Sequence, residues 1–121
     1  MEFKISISEN GKYLIVEVFE VITGELERKF IKEGLKEAKA HNIKNIFVDV
    51  SRAPNTASVL ENYKFAYDET ERLGHPKDAK IAVLVSPDDH SHDFIETLFK
   101  NAGYNCNIFR DKNSAIEWLN K

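Results

Sequence analysis

The chain has 121 residues, 42% hydrophobic and 31% charged, with a formal net charge of −3. That length suits one domain around a single core, and no apolar run approaches the roughly 20 residues that span a bilayer. Lysines and glutamates are interspersed and form no basic block, so neither a nucleic-acid nor a membrane partner is expected.

The opening residues Met1 to Ile5 alternate polar and apolar and carry Glu2, which is not the pattern of a signal peptide. Phe3 to Ser8 and Tyr13 to Phe19 are β-rich and flank Asn10-Gly11, a dipeptide suited to a two-residue turn with both central residues at positive φ. An antiparallel hairpin is predicted. Its first strand alternates, so one face meets water; the second is more continuously apolar and belongs further into the sheet.

Thr23 is a candidate N-cap for a helix to about His41, with Glu25 and Glu27 favouring the positive end of the dipole. Leu26, Phe30, Ile31, Leu35 and Ala38 form its apolar stripe; Glu27, Lys29, Lys32, Lys36 and Lys39 are expected in solvent. Asn42 is suited to a left-handed C-cap, with Ile43 folding back.

Ile46-Phe47-Val48-Asp49-Val50 lacks alternation, as expected of a central strand covered on both faces. Ser51 to Asn55 break it. A helix is predicted from about Ala57 to Leu73, with Gly74 stopping it and Pro76 preventing continuation. Its stripe includes Val59, Leu60, Tyr63, Ala66, Tyr67, Thr70 and Leu73, and Phe65 falls outside that stripe. Lys80 to Val85 form another apolar strand, and a helix is expected to begin at Pro87-Asp88-Asp89 and carry Phe94, Ile95, Leu98, Phe99 and Ala102 at i, i+1, i+4, i+5 and i+8. After Gly103, Tyr104 to Phe109 alternate as an edge strand, and Asp111 caps a terminal helix carrying Ala115, Ile116, Trp118 and Leu119.

The predicted architecture is an α/β domain over residues 1–121. It has a mixed five-stranded sheet, an N-terminal antiparallel hairpin and four helices in the order β-β-α-β-α-β-α-β-α.

Motifs for chemistry are sparse. Gly-x-Ser-x-Gly and phosphate-cradling glycine loops are absent. The polar run Asp88 to Asp93 contains His90 and His92, but on a helix residues at i and i+2 point about 200° apart, a poor metal pair. No metal and no cofactor are expected. Asp49 sits near the end of a central strand, where open α/β sheets place functional groups, and also where a carboxylate can anchor the next loop. Thr56 and Ser58 stand at a helix start, suited either to capping or to carrying phosphate or an anion. Cys106 is expected to be a small buried hydrophobe in a chain of the reducing cytoplasm.

The element order resembles the SpoIIAA-like branch of the STAS domain family, the fold of anti-sigma-factor antagonists. So do Ile46 to Val50 leading into a Thr/Ser-started helix, and Asn107-Ile108-Phe109-Arg110-Asp111 running on to Ala115-Ile116-Glu117-Trp118-Leu119. The resemblance implies a non-enzymatic module that binds a protein partner, switched by phosphorylation of a serine at the start of the second helix. The family motif there is Asp-Ser/Thr-Ser-Gly; here the region reads Asn55-Thr56-Ala57-Ser58, without the aspartate and glycine. Asp49, Ser51, Arg52, Asn55 and Phe65 are the expected partner or ligand surface, and a homodimer is expected through the hairpin edge strand or the exposed part of the second helix. The alternative is a small apolar ligand, by similarity in topology to the Sec14-type fold, with Phe47, Tyr63, Phe65 and Tyr67 as candidate lining.

Overall fold

A computed structural model describes residues 2–56 and 67–121. Strands β1 (Phe3–Ile7), β2 (Tyr13–Val18), β3 (Asn45–Asp49), β4 (Lys80–Leu84) and β5 (Asn105–Phe109) lie side by side in chain order. The β1–β2 pair is antiparallel and the other three pairs are parallel. Among the described residues the helices are α1 (Gly24–Ala40), α2 (Asp68–Arg72), α3 (Asp93–Asn101) and α4 (Lys112–Leu119). The expected helix over 57–73 is present in its last part; residues 57–66, with Ser58 and Phe65, lie outside the described residues.

The core has two layers. On one face Leu14, Val16, Val18, Ile46, Ile81 and Val83 meet Leu26, Phe30, Leu35 and Ala38 of α1 and Phe99 of α3, with Leu73 packed alongside. On the other, Tyr13, Phe47, Ala82 and Leu84 meet Ala115 and Leu119 of α4. The central strands are therefore apolar on both sides, which is why β3 and β4 show no alternation.

The hairpin corrects one expectation. Ser8 and Tyr13 close the ladder, leaving Glu9 to Lys12 as a four-residue loop in which only Gly11 has a positive φ, of 71°. Asn10 is spent otherwise: its Oδ1 accepts from the Ser8 hydroxyl (2.7 Å) and the Lys12 N–H (3.0 Å). Glu27 is a second correction, being 1% exposed and not in solvent. It follows Leu26 on α1, and the buried stripe is wide enough to include it.

The third correction concerns α3, which begins at Asp93 and not at Pro87. Residues 86–89 instead close a turn, Asp89 N–H to Ser86 C=O, and the Asp89 carboxylate takes the Ser91 N–H at 2.9 Å. An aspartate that bonds two residues ahead stabilises a turn in competition with a helix. Phe94, the second residue of α3, is 39% exposed and does not join the core.

Candidate functional site

Asp49 ends β3 with its carboxylate bonded to the Ser51 N–H (3.0 Å) and hydroxyl (2.6 Å). It anchors the loop that follows, the structural role its position suggested. It also lines a cleft of about 370 Å³ on the second sheet face with Glu9, Glu17, Phe47 and Lys112. Arg52 swings across the same end of the sheet, its guanidinium 4.7 Å from the Phe19 ring centre and 3.6 Å from the Glu17 carboxylate. Both Arg52 contacts are exposed, worth about 0–1 kcal/mol each, so they orient the side chain more than they hold the fold.

The loop is held more firmly from within. Ile22 N–H donates to Pro54 C=O at 2.9 Å, and Thr56 N–H and Oγ1 both donate to Ile22 C=O at 2.8 Å. Residues 54–56 thereby form a short parallel bridge beside Ile22. From the β4–α3 connection, the Ser91 hydroxyl accepts the Asn55 N–H at 2.8 Å, and His92 Nε2 bonds the Ala53 carbonyl at 3.0 Å. A carbonyl only accepts, so His92 carries its proton on Nε2.

His92 is 2% exposed, and burial holds its pKa below 6.5 against the pull of the Ala53 carbonyl and of Asp89. Burial works against ionising Asp89, but the Ser91 hydroxyl and N–H outweigh it and keep that carboxyl below the usual range. Arg110, after β5, locks the same connection by donating to the Pro87 (3.2 Å) and Asp89 (3.1 Å) carbonyls. The result is a preset loop. Arg52, Pro54 and Thr56 stand exposed on it, while Ala53 is fully buried beneath.

Of the residues expected to form a site, Asp49 and Ser51 bond each other, Arg52 contacts Glu17 and Phe19, and Asn55 and Thr56 bond Ser91 and Ile22 further along the same loop. Sequence reasoning weighed His92 as a metal ligand and found no nucleophile pattern around Ser91, but read neither as a support of the loop of residues 51–56. Their partners lie 36 and 39 residues away, so no local pattern could show the pairing. His90 and His92 precede α3, and they diverge: His90 is exposed, its Nδ1 lying 3.1 Å from the Asp93 carboxylate and 3.2 Å from the Arg110 guanidinium. Among the described residues no three His, Cys, Asp or Glu side chains converge on a common point. Cys106 is fully buried, and burial pushes its thiol up to about 12. That thiol is no nucleophile. Among the described residues, no helix is long and apolar enough to cross a membrane.

The sheet order, the N-terminal hairpin and the loop at the strand ends define a SpoIIAA-like α/β domain. An uncharacterised protein of the DUF3478 family from Shewanella loihica PV-4, itself described as having a SpoIIAA-like fold, superposes with a TM-score of 0.61. It is 17% identical, over 97% of this chain and 91% of its own. The anti-sigma factor antagonist SpoIIAA in its unphosphorylated form gives a TM-score of 0.57 at 11% identity, over 98% and 97% of the two chains. Likeness at these identities establishes the fold. Neither a family model nor a curated protein matches the sequence.

Proposed function

We propose that the chain is a non-enzymatic regulatory module that binds a protein partner through the surface around residues 51–56, with phosphorylation at Thr56 or Ser58 as its switch. The observation that carries the reading is the preset loop: four of its residues, Ala53 to Thr56, are pinned from two neighbouring connections, yet Arg52, Pro54 and Thr56 face outward. A loop ordered before binding loses little conformational freedom on association. The resemblance to an anti-sigma factor antagonist supports the same class. A cytoplasmic setting, and self-association along the free edge of β1, belong to the reading.

Thr56 is built to respond. Its hydroxyl donates to the Ile22 carbonyl; a phosphate ester loses that donor and adds about two negative charges. The expected outcome is that Thr56→Glu or Ser58→Glu changes the set of proteins captured from lysate, and that intact mass finds a phosphorylated fraction. Unchanged capture by both variants, with no phosphate on the native protein, removes the switch.

A second reading, a small apolar ligand, is favoured by one observation. A cavity of about 90 Å³ lies inside the first layer, lined by Val16, Phe30, Leu35, Ile81, Phe99 and others. That volume holds a few non-hydrogen atoms, well short of a lipid chain. Phe47 packs on the opposite face, and Tyr63 and Phe65 lie outside the described residues. Native mass spectrometry is expected to show the bare chain mass or a bound species below about 100 Da; a retained lipid would overturn this size limit.

A further inference from the structure

The two edges of the sheet differ. At the β5 edge the Glu96 carboxylate of α3 accepts the Ile108 N–H, so that backbone donor is already taken. At the β1 edge, pairing with β2 decides which groups face out. Phe19 N–H donates to Glu2 C=O at 2.9 Å, and Ser8 N–H to Tyr13 C=O at 3.0 Å. Hydrogen-bonded positions alternate along an antiparallel pair, so in this register Glu2, Lys4, Ser6 and Ser8 turn their N–H and C=O toward β2. Phe3, Ile5 and Ile7 turn theirs outward, and among the described residues no hydrogen bond reaches those groups.

The side chains of these three share the first sheet face. Phe3 and Ile5 pack against the core, and Phe30 of α1 backs Phe3 with 6.4 Å between ring centres. Ile7 is 42% exposed. Six open backbone groups beside an uncovered isoleucine are a template for another strand.

Phe3-Lys4-Ile5-Ser6-Ile7 is complementary to itself about its middle residue. We propose that β1 pairs antiparallel with β1 of a second copy of the chain, with Ile5 on the twofold axis. Ile5 then faces its own counterpart and Phe3 faces Ile7. Each of these pairs exchanges two N–H···O=C bonds, so all the outward groups are used. Ile7 is covered by Phe3 of the second copy, and on the other face Lys4 lies opposite Ser6, so no like charges meet. The neighbouring registers do worse. Centred on Lys4, two ammonium groups stand opposite each other in a closely spaced pair; centred on Ser6, Phe3 faces Glu9 of the hairpin loop and its bonds are lost. With Ile108 occupied, chaining of β1 onto β5 is opposed and the assembly closes at two. The proposal rests on the self-association in the reading above and uses no residue of 51–56.

The test is sedimentation equilibrium combined with a cysteine scan. One strand pair and its apolar contacts make a small interface, so dimer is expected to form between about 10 μM and about 1 mM chain. Under copper–phenanthroline, Ile5→Cys should cross-link at least about tenfold faster than Lys4→Cys or Ser6→Cys. Across the axis the two Cα atoms of residue 5 are about 5.5 Å apart, within disulfide reach, whereas copies of residue 4 or of residue 6 are offset by two positions, beyond about 7 Å. The native Cys106 is fully buried and does not compete. Ile5→Pro removes an N–H that β2 does not use, which an edge strand permits. Its ¹⁵N–¹H spectrum should remain that of the folded chain while dimer affinity falls by about tenfold or more. A monomer throughout that range, species beyond the dimer, faster cross-linking at residue 4 or 6, or a folded Ile5→Pro chain that dimerises undiminished would each overturn the proposal. Capture with Thr56→Glu reads residues 51–56 separately, so a failure here and a failure of the partner surface are distinguishable.

Discussion

His75 and His92 lie at opposite ends of the sheet and share one property: burial holds both imidazoles below the ordinary value of 6.5. The unfolded chain takes up protons at these positions near pH 6.5, and the folded chain does so only at lower pH. Between those values the folded state holds fewer protons, so the stability it keeps above pH 6.5 falls as pH drops below it. Urea denaturation should give a lower midpoint at pH 5.5 than at pH 7.5. The double variant His75→Gln/His92→Gln should flatten that difference; an unchanged pH slope would exclude these two groups as its source. Neither burial was legible locally. A histidine in a polar run such as Asp88 to Asp93 looks exposed until the loop of residues 51–56 closes over it, with Ala53 supplying the carbonyl.

Helix ends were the most legible elements. Thr23, Asp111, Asn42, Gly74 and Gly103 all act where the residues alone place them: Thr23 accepts the Leu26 N–H, Asp111 accepts the Ser114 N–H, and the other three take positive φ. Caps and left-handed turns depend on bonds within about four residues, so the information is local. Asn42 is the one non-glycine of the three and bears part of the left-handed penalty of about 1–2 kcal/mol. Asn42→Gly should keep or raise stability by up to about 1 kcal/mol, and Asn42→Ala should lower it by about 1 kcal/mol. Chemical denaturation measures both; equal stability of the two variants would show that backbone strain at this turn is negligible. The start of α3 was misplaced for the complementary reason. Asp88 and Asp89 suit a cap and a turn equally, and contacts from residues 53, 55 and 110 select the turn.

At the scale of the molecule, the sequence by itself determined the α/β class, the five strands, the hairpin and the order of elements. Their signals are periodicity and breakers, which operate within a few residues. Tertiary structure decided which surfaces those elements share. It put α1, α2 and α3 on one face and α4 on the other, and left Phe94 outside while taking Glu27 in. It also turned Ser91 and His92 from a polar run into the supports of residues 53–55, and buried His75. These outcomes depend on packing and bonds between residues far apart in the chain, 36 and 39 positions for Ser91 and His92, for which a short window of sequence has no signal.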